Sequence, residues 1–98
     1  MQSLIVSKTK VTEGQNIAFN SNAKELIIWL FTGNTNKTSI RIPNNVVPET
    51  YILTAVWATG TTSRIHFKRT ATGISILSSY GEGLWQDASR NIEIYGIG

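Results

Sequence analysis

The chain contains no cysteine. That excludes disulfides, thiolate metal ligands and cysteine nucleophiles together. In so small a domain it favours a protein made in the cytosol, or one stabilised by oligomerisation, over a secreted disulfide-stapled fold. Charge is also sparse: only 15% of residues are Asp, Glu, Lys or Arg, against a usual quarter, so Thr, Ser and Asn must carry the polar surface. Long apolar runs are missing. The longest, Leu26–Phe31, falls far short of the roughly 20 residues a membrane helix needs, so no membrane insertion is expected. Met1–Val6 has no basic region and only a short apolar stretch, unlike a signal peptide.

What is present is a strand-and-turn vocabulary. Ninety-eight residues make one domain, and 41% apolar residues supply a core. Thr favours strands, while Ser and Asn favour turns. Short candidate strands follow one another: Leu4–Val6, Lys10–Thr12, Ile17–Phe19, Leu26–Phe31, Ser39–Ile42, Tyr51–Trp57, Ser63–Arg69, Ile74–Ser78 and Ile92–Ile97. Leu26–Phe31 is apolar at both parities and is expected to be central and covered on both faces. Ser63–Arg69 alternates, with Ile65 and Phe67 inward and Arg64, His66 and Lys68 outward. Pro48 prevents Val46–Glu49 from continuing as a central strand. Ile92 and Ile94 share a core face, Glu93 and Tyr95 take the other, and Gly96 can admit a close neighbour. No segment of useful length has helical spacing. The expectation is an all-β, antiparallel β-sandwich of about eight short strands with jelly-roll-like connectivity, spanning residues 1–98.

The residues offer little chemistry. His66 is the single histidine and lies between Arg64 and Lys68, where neighbouring cations disfavour imidazolium and make it a poor general base. No G-x-S-x-G motif, phosphate loop or calcium-loop register is present. Of the six acids, only Glu82 and Asp87 share a loop, and acids in Gly-rich turns are commonly ordinary loop residues. The chain is read as non-enzymatic, with no cofactor and no metal. Its formal charge is +3, but the cations are scattered outside Arg64–Arg69, whereas nucleic-acid binders carry denser basic stripes. Nucleic acid is not the expected partner.

The richest recognition stretch is Ser79–Asn91, read as irregular. Tyr80 and Trp85 offer apolar faces with polar tips, and Glu82, Gln86, Asp87, Arg90 and Asn91 offer directional hydrogen bonds. Sugars require that mixture, since each pyranose has an apolar face and a hydroxyl rim. The plainer reading is that Trp85 plugs one end of the sandwich, because large aromatics are highly buried on average. The row Arg64, His66 and Lys68 could hold an anionic group, although such a row is more often a solvated strand face. The candidate ligand-binding residues are therefore Tyr80, Trp85, Asp87, Arg90 and His66.

In the C-terminal half, a tryptophan-bearing strand (Tyr51–Trp57) leads to a cationic hairpin strand (Ser63–Arg69) and a short Ile strand (Ile74–Leu77). A Gly/Trp loop and the closing strand Ile92–Ile97 follow. This order resembles the receptor-binding head domains of bacteriophage tail-fibre and tail-tip proteins. The resemblance implies a small β-sandwich, a homotrimer, a bacterial cell-surface saccharide as ligand and other virion proteins as partners. It also implies residence in the virion tail after synthesis in the host bacterial cytoplasm. With no coiled-coil or β-helix stalk ahead of it, the chain reads as an isolated head or a stand-alone virion or prophage protein. Two alternatives compete with this reading. One is a structural virion or assembly protein acting through subunit packing. The other is an OB-like single-strand nucleic-acid binder using Phe67 or Tyr51 to stack bases.

Overall fold

The computed structural model describes residues 2–32, 36–56, 62–81 and 90–98. Eight strands account for most of them: β1 (Gln2–Lys10), β2 (Asn16–Ala18), β3 (Glu25–Thr32), β4 (Asn36–Pro43), β5 (Thr50–Val56), β6 (Thr62–Arg69), β7 (Gly73–Gly81) and β8 (Arg90–Ile97). They form two antiparallel four-stranded sheets, ordered β1-β8-β3-β4 and β2-β7-β6-β5. This is the β-sandwich the strand spacing predicts. The β1–β8 and β2–β7 pairs are nested as in a jelly roll and bring the two ends of the chain together, but β3 pairs with β4 and β5 with β6 where a full jelly roll would pair β3 with β6 and β4 with β5. The other pairings are β3–β8 and the sequence-adjacent β3–β4, β5–β6 and β6–β7.

The core fills the space between the sheets. The first contributes Leu26, Ile28 and Leu30 from β3, Ile42 from β4, and Ile92 and Ile94 from β8. The second contributes Ile65 and Phe67 from β6, Ile74 and Ile76 from β7, and Leu53 and Ala55 from β5. Each set follows period-2 spacing, which directs alternate side chains to one face. Ile92 and Ile94 are fully buried, and β8 lies between β1 and β3. Gly96 lies against the side chains of Ala23 and Ile5, where an added Cβ would come within 2.7 Å and 3.0 Å of them.

Three details depart from the sequence expectation. Leu4–Val6 and Lys10–Thr12 are not separate strands. A single β1 runs to Lys10 through two register shifts, and Val11 continues by donating its N–H to the Arg90 carbonyl at 2.7 Å. β3 is central in its sheet, but among the described residues only one face is covered by a second sheet: Leu26, Ile28, Leu30 and Thr32 are buried, while Ile27, Trp29 and Phe31 are half-buried on the outer face. Finally, residues 79–81 and 90–91, expected to be irregular, are strand: β7 extends to Gly81 and β8 begins at Arg90, while 82–89 lie outside the described residues.

A bulge sets where β7 points. His66 pairs with Ser78 but Phe67 pairs with Ile76, leaving Leu77 as the extra residue. Bulged strands change face at the extra residue. Ile74 and Ile76 are therefore buried, while Tyr80, at the same parity, is 41% exposed.

One end of the sandwich is tied by Arg69. Its guanidinium donates to the carbonyls of Thr70 and Gly73 and to Oδ1 of Asn44, and its Cζ lies 4.9 Å from the centroid of Phe19. Asn44 in turn donates from Nδ2 to the carbonyls of Ser21 and Ala23. Burial pushes the Arg69 pKa down from its usual value. This connection joins the β6–β7 turn to the loops after β2 and β4.

Candidate functional site

The outer face of the β1-β8-β3-β4 sheet carries the strongest concentration of recognition chemistry. Register places its side chains in cross-strand rows. Tyr95 lies beside Leu4 and Ile27, with Arg41 beyond; Glu93 lies beside Trp29, then Ser39; Asn91 lies beside Phe31, then Lys37. Trp29 and Phe31 sit two residues apart on β3, so both must face outward once Leu26, Ile28 and Leu30 face inward. Their ring centroids are 6.5 Å apart at an interplanar angle of 36°.

Polar groups surround these rings. The Lys37 ammonium lies 5.1 Å from the Trp29 centroid, and that of Lys8 lies 4.8 Å from the Phe31 centroid. Both are within cation–π range. Tyr95 donates its hydroxyl to Oε1 of Glu93 at 2.9 Å. This bond to a carboxylate, reinforced by desolvation and the Glu93 charge, raises the phenol pKa above its ordinary value. Together Gln2, Trp29, Phe31, Lys37, Glu93 and Tyr95 line a shallow depression of about 240 Å³. Glu25, on the same face, is engaged with Arg41: Nη2–Oε1 is 2.7 Å and Nε–Oε2 is 3.0 Å.

The arrangement offers the groups that hold a ligand. Glu93 is the sole carboxylate among the described residues lining the depression, whereas glycosidic hydrolysis uses two carboxyl groups at controlled separation. Among the described residues no cluster of three or more His, Asp or Glu could hold a metal ion. The aromatic faces can stack on an apolar ligand surface, and the carboxylate, amide, hydroxyl and ammonium can hydrogen-bond at its rim.

The five residues singled out from the sequence do not converge in the described part of the fold. Trp85 and Asp87 lie outside the described residues. Tyr80 faces outward from β7, with the Arg64 guanidinium 4.7 Å from its ring centroid. His66 faces outward from β6 between Ser78 and Ile52. Arg90 has the inward parity of Ile92 and donates from Nε to Ser79 Oγ at 2.7 Å, bridging the two sheets. Tyr80 and Arg90 thus project to different sides of the second sheet. They belong to strands, and their directions follow from strand parity and from the bulge at Leu77.

Sequence reasoning missed Trp29 and Phe31 because β3 is apolar at both parities, which reads as two covered faces. The available signal was on β8, where Glu93 and Tyr95 alternate with Ile92 and Ile94. A face shared with polar neighbours is not sealed by a second layer. Phe67, the stacking residue of the nucleic-acid alternative, is fully buried, and Tyr51 stacks against it at 5.5 Å. No family model, curated protein or solved structure matches this chain.

Proposed function

We propose that this protein is a non-enzymatic saccharide-binding module of a phage or prophage tail, and that the outer face of the β1-β8-β3-β4 sheet is its ligand surface. One observation carries the binding reading. Trp29, Phe31 and Tyr95 are half-buried beside one another on a face that no other layer covers among the described residues, around a depression with a polar rim. Aromatic rings held by a rigid sheet lose little conformational freedom on binding, and they match the apolar face of a pyranose. Glu93, Gln2 and Lys37 supply the acceptor and donors that a hydroxyl rim requires. The tail setting rests on the order of elements in the C-terminal half, which resembles the heads of tail-fibre and tail-tip proteins.

The test is a screen of the wild-type protein against an array of bacterial cell-wall saccharides, followed by calorimetric titration of the best ligand. The expected result is measurable binding that Trp29→Ala weakens by about tenfold or more while the circular dichroism spectrum is unchanged. A folded wild-type protein that binds no saccharide refutes the proposal. So does preferential binding to a single-stranded oligonucleotide with a steep salt dependence, the signature of phosphate contacts.

A further inference from the structure

The four sheet edges are not equally protected. An edge strand presents unpaired N–H and C=O groups that can accept another strand, and natural edges are blunted by brevity, charge, proline or bulges. β1 has two register shifts and carries Lys8 and Lys10. β2 is three residues long. β4 carries Lys37 and Arg41 and ends at Pro43. β5 has none of these devices. Its seven residues, Thr50-Tyr51-Ile52-Leu53-Thr54-Ala55-Val56, contain no charge and no proline, and they pair with β6 in an unbroken register. Among the described residues no strand pairs with its other side, an edge of the second sheet, and β5 displays Ile52 and Val56, 55% and 60% exposed.

We infer that β5 is a self-association edge, and that a second copy of this chain pairs with it, β5 to β5 antiparallel, about a two-fold axis through Thr54. The sequence of the strand selects both the occupant and the register. Ile52 and Val56 flank Thr54 symmetrically, so a two-fold axis there places Ile52 beside Val56 of the second copy, and Val56 beside its Ile52. On the inner face, Leu53 falls opposite Ala55 of the second copy. Each exposed apolar side chain gains an apolar cross-strand neighbour, the unit of sheet stabilisation. The pattern is self-complementary, as a two-fold interface requires. The absence of charge between Thr50 and Val56 lets two chains of net charge +3 meet there. The product is an eight-stranded sheet. It is independent of what the aromatic face binds, because that face belongs to the other sheet. It also differs from the three-fold assembly that the tail-head resemblance implies.

Light scattering coupled to size exclusion provides the first test, with an expected mass of twice the 10.8 kDa chain. Thr54→Glu places a carboxylate beside Arg64 within one chain, which suits the folded monomer. In the dimer it sets two carboxylates face to face. The expected result is association weakened by at least about tenfold in association constant, with an unchanged thermal melt of the monomer. The cysteine-free background allows a register test. Oxidised Thr54→Cys should form a covalent dimer on a non-reducing gel, because the two Cβ atoms lie directly opposite across the axis. Thr50→Cys should not, because its symmetry mate lies eight residues away along the paired strands. A wild-type monomer or trimer overturns the inference. So does a dimer that Thr54→Glu leaves intact, or cross-linking that is no greater at position 54 than at position 50.

Discussion

Replacing Gly73 by alanine should detach β2 from the sandwich. Gly73 opens β7 directly opposite Ala18, and a Cβ built on it would lie 1.9 Å from the carbonyl oxygen of Ile17, 2.9 Å from the Ile17 carbonyl carbon and 2.9 Å from the Ala18 Cα. Every one of these is a backbone atom, so no rotamer change relieves the clash. Gly73 is held from its own side as well. Its N–H donates to Thr70 Oγ1, and its carbonyl accepts from the Thr70 N–H and from Arg69. The segment that must yield is therefore β2.

Detaching β2 sets the ceiling on the cost. It sacrifices three ladder pairs, the flanking Phe19 N–H to Thr72 carbonyl bond and the burial of Ile17, which is 7% exposed. Burying an Ile contributes about 1.5–3 kcal/mol, and each backbone hydrogen bond about 1 kcal/mol net. The freed residues regain about 1–2 kcal/mol each of conformational entropy. Set against one another, these terms leave an expected loss of about 1–3 kcal/mol, a sizeable share of a stability on the order of 5–15 kcal/mol. Urea unfolding followed by far-ultraviolet circular dichroism should show a midpoint lowered by about 1–3 M for m near 1 kcal/mol/M. A smaller m is also expected, because the mutant's native state already exposes part of its surface. The ordinary effect of Gly→Ala at a compatible position is opposite in sign, a gain of about 0.4–1 kcal/mol through the unfolded state. A Gly73→Ala protein as stable as the wild type would therefore refute the argument that backbone contact dictates this glycine.

Thr32 Oγ1 and Ser63 Oγ are buried without a hydrogen-bond partner among the described residues, so Thr32→Val and Ser63→Ala should each raise stability by about 1 kcal/mol, seen as a higher melting temperature. Arg69→Ala should cost about 2–4 kcal/mol, because its donors satisfy the Thr70 and Gly73 carbonyls and orient Asn44. Arg69→Lys should recover little of this in chemical denaturation, since one ammonium cannot reproduce the planar fork. The hydrogen bond from Arg41, with its charge, holds Glu25 below its ordinary 4.5. A carboxyl lowered on folding contributes stability above its unfolded pKa and loses it as pH falls through the folded value. Carbon-detected NMR titration should therefore find the Glu25 midpoint below 4.5, moving up in Arg41→Gln.

The layers of this fold were legible because Ile92/Ile94, Ile65/Phe67 and Leu53/Ala55 each show period-2 spacing with polar neighbours. A buried face then has one consistent parity, and a sandwich is the natural way to cover several such faces. The site was not legible for the same physical reason. On β3 the outward Ile27, Trp29 and Phe31 are as apolar as the inward Leu26, Ile28 and Leu30, so parity carries no contrast. Which face receives the second sheet depends on β8 and β4, whose outward Glu93, Lys37 and Arg41 resist burial. Tyr80 fails differently. Its parity matches Ile74 and Ile76, and only the extra residue at Leu77 turns it outward. A bulge of that kind depends on pairing with β6 and has no local signal as clear as a turn glycine.

The two proposals are linked by symmetry. Antiparallel pairing of one strand with its copy uses a two-fold axis perpendicular to the sheet, and rotation about that axis leaves each face on its original side. Joined at β5, two sandwiches would direct both aromatic faces, each with its own Trp29 and Tyr95, to the same side of the eight-stranded sheet. A face-to-face dimer would instead bury these surfaces or oppose them. A module that meets a repetitive saccharide surface gains from parallel presentation, because the second binding event becomes intramolecular and can strengthen attachment without any new contact. Weak binding at each shallow depression is then compatible with firm attachment to a cell wall. Thr54→Glu should leave binding to a soluble monovalent saccharide unchanged while sharply weakening retention on a surface coated with the same saccharide. Equal retention of the wild type and the variant would mean that edge pairing and ligand recognition are unconnected.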